Sequence, residues 1–199
     1  NSAVISPPYG GGDLRGGVIP SSFYPQGGEI MDKKINNYAF IDSQNLNLGI
    51  QSMGWKLDFR RFRVYLKEKY KVEVAYIFIG YIPANQNLYD SLQKAGYVLK
   101  FKPVLPDKYG EHKGNVDADL VLQTAVDFYE NNFDKALIIT SDGDFYSLVN
   151  FLYQHDRLGA VISPCRQTCA ILLRQAAKER IDFVENLRHK MEYKKKSTA

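Results

Sequence analysis

Four aspartates stand where apolar runs end or helical patterns begin, the positions from which side chains can converge to do chemistry. Asp42 closes the run Tyr38-Ala39-Phe40-Ile41 and is followed by Ser43-Gln44-Asn45. Asp117 opens a helical pattern in Asn115-Val116-Asp117-Ala118-Asp119-Leu120. Asp142 and Asp144 follow Ala136-Leu137-Ile138-Ile139, within Thr140-Ser141-Asp142-Gly143-Asp144-Phe145. In an open parallel sheet the carboxyl ends of the strands share one edge, where ligands bind. Hard divalent cations take oxygen ligands of this type. The pattern reads as a metal site for phosphate chemistry, with Asp42, Asp117, Asp142 and Asp144 as ligands and Mg2+ or Mn2+ as the ion.

Each acid also has a plainer explanation. Asp117 and Asp119 favour the positive end of a helix dipole. Asp142 or Asp144 can cap the helix that Phe145 begins, with Gly143 easing the turn, and Asp42 can bond its own turn backbone. Capping does not require all of them to fall on one sheet edge, and clustered carboxylates repel without a cation. Asp117 and Asp119, two positions apart, point to different sides of a helix. Asp117 is expected at the cluster, Asp119 behind it or in solvent, and Asp127 at the surface. Asn45 can turn toward the same edge or serve as a turn residue. Thr140 and Ser141 can donate to a phosphate, to a carboxylate or to their own turn. Lys113, in the loop before Asp117, can meet a phosphate oxygen or remain solvated.

The elements that position these groups alternate along the chain. Strands are expected over 38–42, 73–81, 97–101, 135–140, 158–162 and 181–184. Helical spacing links Phe59, Phe62, Leu66 and Tyr70 after an Asp58 cap, then Leu88, Tyr89 and Leu92 up to Gly96. It returns over 117–130, in Phe145, Leu148, Val149 and Leu152, and in Cys169, Leu172, Leu173 and Ala176. Strands alternating with helices imply right-handed crossovers and a parallel sheet covered on both faces. Residues 43–45 are expected as polar turn and 103–115 as a polar loop.

Residues 1–36 read as a flexible leader or an expression remnant. They carry Gly10-Gly11-Gly12, Gly16-Gly17, Gly27-Gly28 and four prolines, too little apolar surface to offset ordering entropy. A globular domain is expected over 37–185, and 186–199 as a basic tail ending near Lys194-Lys195-Lys196. The two cysteines, Cys165 and Cys169, and three scattered histidines make neither a disulfide scaffold nor a zinc pattern. A reducing, cytoplasmic setting is therefore expected. No apolar stretch approaches the length of a membrane span.

Lys and Arg number 26 against 22 Asp and Glu, a net +4 compatible with a polyanionic partner. Arg60, Arg63, Lys67 and Lys71 recur at helical spacing and would form a basic stripe, either a phosphate-neutralising face or an ordinary solvated one. Fourteen tyrosines and eleven phenylalanines offer surface for stacking unpaired bases once the core is supplied.

Taken together, three motifs resemble the NYN domain, and more specifically its LabA-like bacterial branch within the PIN-like nuclease superfamily. They are Asp42-x-x-Asn45 after the first strand, Lys113-Gly114-Asn115-Val116-Asp117 before the central helix, and Ser141-Asp142-Gly143-Asp144-Phe145. The likeness spans residues 37–184. It implies a PIN-like three-layer α/β sandwich with a central, mostly parallel sheet, and metal-dependent hydrolysis of RNA phosphodiesters. It places metal-binding, catalytic acids at Asp42, Asp117, Asp142 and Asp144, with Asn45 as companion to the first. Many relatives carry glycine before the first acid of the third motif; here Ser141 stands there and Gly143 lies between the acids. Single-stranded or structured RNA is the implied partner, with substrate contacts expected from Lys113, Ser141, Arg60, Arg63 and Lys67. A homodimer is compatible with the resemblance. Two other readings compete: a non-catalytic module binding RNA or protein, and a phosphohydrolase for small esters. The second is the weaker, because Ser43-Gln44 follows Asp42 where an aspartyl-phosphatase would carry a DxD turn.

Overall fold

The computed structural model describes residues 35–103, 105–106, 112–113 and 117–194. The chain divides after Lys34, and every described residue belongs to the second unit, Ile35–Ala199. Its elements are β1 (Asn37–Asp42), α1 (Ser43–Ser52), α2 (Phe59–Tyr70), β2 (Val72–Tyr81), α3 (Gln86–Lys94) and β3 (Val98–Pro103). There follow β4 (Leu105–Pro106), β5 (His112–Lys113), α4 (Asp117–Tyr129), β6 (Ala136–Ile139) and α5 (Tyr146–Gln154). β7 (Leu158–Ser163), α6 (Ile171–Ala177), β8 (Ile181–Phe183) and α7 (Arg188–Met191) complete the chain.

Alternation along the strands sends side chains to two separate cores. In β1, Ala39 and Ile41 pack with Leu46 and Ile50 of α1 and with Phe62 and Leu66 of α2. Phe40 faces the other way, toward Leu120 of α4 and Leu148, Val149 and Leu152 of α5. β6 divides likewise, Leu137 and Ile139 to the first core, Ala136 and Ile138 to the second. Strands apolar on both faces need helices on both, and the result is a three-layer sandwich.

The six long strands lie in the order β3-β2-β1-β6-β7-β8 and every neighbouring pair is parallel. From β1 the chain winds outward to β2 and β3; from β6 it winds the opposite way to β7 and β8. The winding reverses between β1 and β6, so a crevice opens at their carboxyl ends, where open α/β sheets bind ligands.

The strands agree with the sequence reading to within about two residues, the usual uncertainty of element ends. Several expectations need correction. Residues 43–52, expected to begin as polar turn, form α1: the Asp42 side chain caps it and Leu46 and Ile50, one turn apart, are buried. Residues 186–193, expected as part of a basic tail, pack on the domain. The Met191 carbonyl accepts the Asp58 N–H at 2.8 Å, the Tyr193 N–H donates to Lys56 O at 2.8 Å, and the Met191 side chain is buried. Asp127 is buried rather than on the surface, because Asn132 Nδ2 and Gln123 Nε2 donate to its two oxygens at 3.0 and 3.1 Å. It ties the last turns of α4 to the turn before β6. Leu172 is 54% exposed, since α6 buries Leu173, Ala176 and Ala177 instead.

At the leader's end, Asn36 already belongs to the domain: its N–H donates to Asp134 Oδ2 and its Nδ2 to Asn132 O, both at 2.8 Å. Residues 1–34 of the expected leader, and Lys195 and Lys196 of the tail, lie outside the described residues. Among the described residues no helix is long and apolar enough to cross a membrane.

Arg63 is the correction with the largest functional consequence. Its Nε donates to Gly96 O at 3.0 Å, Nη1 to Val72 O at 3.1 Å and Nη2 to Glu73 O at 2.7 Å. The guanidinium stitches α2 to the first residues of β2 and to the turn before β3. Losing these charge-assisted bonds costs about 2–4 kcal/mol, and lysine lacks the fork to replace them. Arg63→Ala and Arg63→Lys should therefore both lower the urea midpoint. An unchanged midpoint in both would return Arg63 to the role of a surface phosphate contact.

Candidate active site

Asp42 ends β1 and caps α1, accepting the Asn45 N–H on Oδ1 at 3.1 Å. On its other oxygen it accepts the Thr140 hydroxyl at 3.3 Å, from the matching end of β6. Ile41 and Ile139 are register partners, so these two residues are the next rung of the β1–β6 ladder. By alternation they share the face of Phe40 and Ile138, the side that α4 covers. Asp42 is 5% exposed and Thr140 is fully buried.

Burial pushes the Asp42 carboxyl above its ordinary 3.8, and the negative charges of Asp117 and Asp142 push it further. The Asn45 N–H and the Thr140 hydroxyl pull the other way without restoring it. Acids from three segments distant in sequence thus act on one another: Asp42 after β1, Asp117 in the first turn of α4, Asp142 after β6. Asp144 is exposed at the rim, its N–H donating to Asp142 Oδ1 at 3.0 Å. Among the described residues no three His, Cys, Asp or Glu side chains form a ready-made ligand set. Asp42 feels the charges of Asp117 and Asp142 although the acids do not close on a common point.

A hydrogen-bonded frame holds the turn that carries Asp142. The Ser141 N–H and hydroxyl both donate to Asn45 Oδ1 at 2.8 Å, pinning α1 to the turn after β6. The Asp142 N–H donates to Thr140 Oγ1 at 3.2 Å, and Asp142 caps the short helical turn Gly143–Phe145. Thr140 therefore links the first acid to the third motif through one oxygen. The Ala170 N–H closes the frame on Ser141 O at 3.0 Å. A Cβ on Gly143 would lie 3.0 Å from the Ala170 Cβ, which explains glycine between the two acids.

Asn45, expected as companion to Asp42, and Ser141, expected to contact substrate, are bonded to each other. Asp119 is half exposed and lies 3.8 Å from Lys102 Nζ. Lys113 falls in β5, opposite Leu105, and its side chain, like residues 114–116, lies outside the described residues. Arg60 and Lys67 are exposed on α2, but the stripe runs toward the wrong edge. Arg63 is bound to the start of β2, and the Lys71 carbonyl accepts the Asn37 N–H at the start of β1. Asp42 lies five residue steps along β1 from Asn37, roughly 16 Å at the usual rise. The groups missed in the sequence are Lys100 and Lys102, which end β3 at the same edge as the acids.

A six-stranded, all-parallel sheet covered by helices on both faces is an α/β architecture of the PIN-like kind. The NYN domain matches residues 38–185, and the chain belongs to that family. It is similar to the Low amplitude and bright protein LabA of Synechococcus elongatus, 29% identical over 122 residues. The match covers 57% of this chain and 65% of that protein's length. The fold is similar to the crystal structure of a Vibrio parahaemolyticus protein of unknown function, with a TM-score of 0.68 at 18% identity. That likeness covers 81% of this chain and 98% of the other.

Asp42 binds its proton more tightly folded than unfolded. From pH 3.8 up through its raised folded pKa, its contribution to stability therefore falls as pH rises. Above that range the carboxylate's charge is a net cost to the metal-free protein. Asp42→Asn keeps an oxygen acceptor for the Asn45 N–H and removes the charge. In EDTA at neutral pH it should melt higher than the parent, and the advantage should vanish below pH 3.8. A lower neutral-pH melting temperature in calorimetry would mean that the charge is structurally favourable and that burial does not strain it.

Proposed function

We propose that the chain is a metal-dependent ribonuclease that hydrolyses RNA phosphodiester bonds at Asp42, Asp117 and Asp142, with Asp144 completing the set from the rim. One observation carries the reading. A nearly solvent-free carboxylate at the switch point is held above its ordinary pKa by burial, with two like charges beside it. Turn and capping acids need neither burial nor repulsion; a cation site gains from both. All-oxygen donors suit Mg2+ or Mn2+. Family membership supports the same chemistry.

A bound divalent cation supplies polarisation of a phosphoryl oxygen and a lowered pKa for the attacking water. Asp42, Asp117 and Asp142 would hold it. Thr140 and the Asn45 N–H each fix one oxygen of Asp42 before substrate arrives, so its carboxylate does not have to be ordered in the reaction. The Asn45–Ser141 clamp sets the turn from which Asp142 projects. Neither histidine nor a thiol nucleophile is required.

Purified full-length chain should cut RNA only with Mg2+ or Mn2+. Asp142→Asn should lower the rate by about a hundredfold or more while RNA binding persists, and Asn45→Ala by about ten- to a hundredfold through displaced acids. Mg2+ at ten times its Kd should raise the melting temperature by about 3–6 °C, a shift that Asp142→Asn removes. RNA bound but uncut under every metal would replace the enzyme with a non-catalytic binding module on the same fold.

A further inference from the structure

α4 is apolar on more sides than its own domain covers. Leu120, Thr124 and Asp127 are buried toward the sheet, and on one flank the Phe128 ring meets Phe151 of α5 at 4.8 Å. A helix with one buried face presents polar residues on the other. Here the solvent side carries Ala118, Leu122, Ala125 and Tyr129, at steps of four, three and four residues, the spacing of a coiled-coil seam. Leu122 is 63% exposed and Tyr129 77%, with Val121 and Val126 also exposed beside them. No charge falls within the seam; Asp119 and Glu130, both exposed, border it. A helix that is apolar all round is ordinarily covered all round.

We propose that a second copy of the chain covers this side, α4 against α4 and antiparallel, in a two-fold homodimer. The residue sizes along the seam are self-complementary. Leu122 and Ala125 lie equally far from the midpoint between Gln123 and Thr124, and so do Ala118 and Tyr129 at the two ends. Reversing one helix about that midpoint sets Leu122 of each copy against Ala125 of the other, and Tyr129 against Ala118, large on small in both layers. The positive end of each helix dipole then lies beside the negative end of the other. A foreign helix would not require this symmetry, and the bordering acids disfavour a nucleic acid. α4 is about 20 Å long, so two such faces bury on the order of 1,000 Å² in total, the low end of specific interfaces. The dimer is therefore reversible rather than obligate. Asp117 stands in the first turn of α4, so the pairing puts the two acid clusters at opposite ends of the helix pair. The seam lies on the side of α4 away from the sheet and uses none of the acids.

The test is analytical ultracentrifugation of the full-length chain from about 1 μM to 1 mM, which should show a reversible monomer–dimer equilibrium. Leu122→Asp puts a charge at the centre of the seam and should remove the dimer over the whole range. The melting temperature of the dilute variant should match the parent's, because Leu122 is exposed in the single copy. Tyr129→Ser should weaken the dimer about tenfold or more. Ala125→Leu sets leucine against Leu122 of the other copy and should also remove it. Adding Leu122→Ala to that variant exchanges large and small within the layer and should restore the dimer. Ile171→Ser and Leu172→Ser on α6, also exposed and apolar, should leave it intact. A parent chain that stays monomeric throughout overturns the proposal and leaves the seam to another protein. A dimer that survives Leu122→Asp, or that the α6 variants break, overturns it and puts the interface elsewhere. Failure of the exchanged pair to restore the dimer, in a chain that melts as the parent does, overturns the antiparallel pairing.

Discussion

A carboxylate almost closed off from water, with two further acids acting on it, is the constraint around which this protein is arranged. Burial alone disfavours the charged form of Asp42, and Asp117 and Asp142 add to that cost. The fold answers with one hydrogen bond to each oxygen, from the Asn45 N–H and from Thr140, and these reduce the strain without removing it. What remains is a local excess of negative charge that a cation would relieve. Proteins commonly hold such strained arrangements at sites of function and stabilise them elsewhere.

The stabilisation elsewhere is visible in the architecture. Two apolar cores hold β1 and β6 from both faces, so the ends of these strands are set by packing rather than by the site. Asn45 gathers two donors from Ser141, coupling α1 to the turn after β6. Asp127 binds the far end of α4 to the turn before β6 through Asn132. The helix that presents Asp117 and the strand that leads to Asp142 are therefore joined at the end away from the site, which fixes how they approach one another. Charge distribution follows the same division: Arg63 is spent on backbone carbonyls at the amino edge, while Lys100 and Lys102 stand at the carboxyl edge.

Much of this is legible from the residues in order. Apolar runs closing on aspartates locate the strand ends, and alternation with helical spacing implies the parallel, two-sided sheet. The failures have physical causes. α1 is hidden because Asn45, Asn47 and Gly49 weaken its helical pattern, whereas the structure needs Gly49 for a close approach: a Cβ there would sit 2.6 Å from the Pro164 Cβ. Asp127 and Arg63 look like solvent-facing charges because their partners, an asparagine five residues on and three carbonyls, become neighbours only after folding. The docking of Met191 against the α2 cap depends on contacts more than 130 residues apart in sequence, beyond any local pattern. Lys100 and Lys102 escape notice because lysine in a strand reads as ordinary edge polarity.

Whether the acids at the switch point take a cation decides the central claim. Anomalous diffraction from crystals soaked in Mn2+ tests this most directly. The expected result is a peak within about 2.1 Å of carboxylate oxygens from Asp42, Asp117 and Asp142, the coordination distance of a small hard cation. Mn2+ found only elsewhere, with Asp42 still bonded to Thr140 and no density beside it, would contradict the central claim.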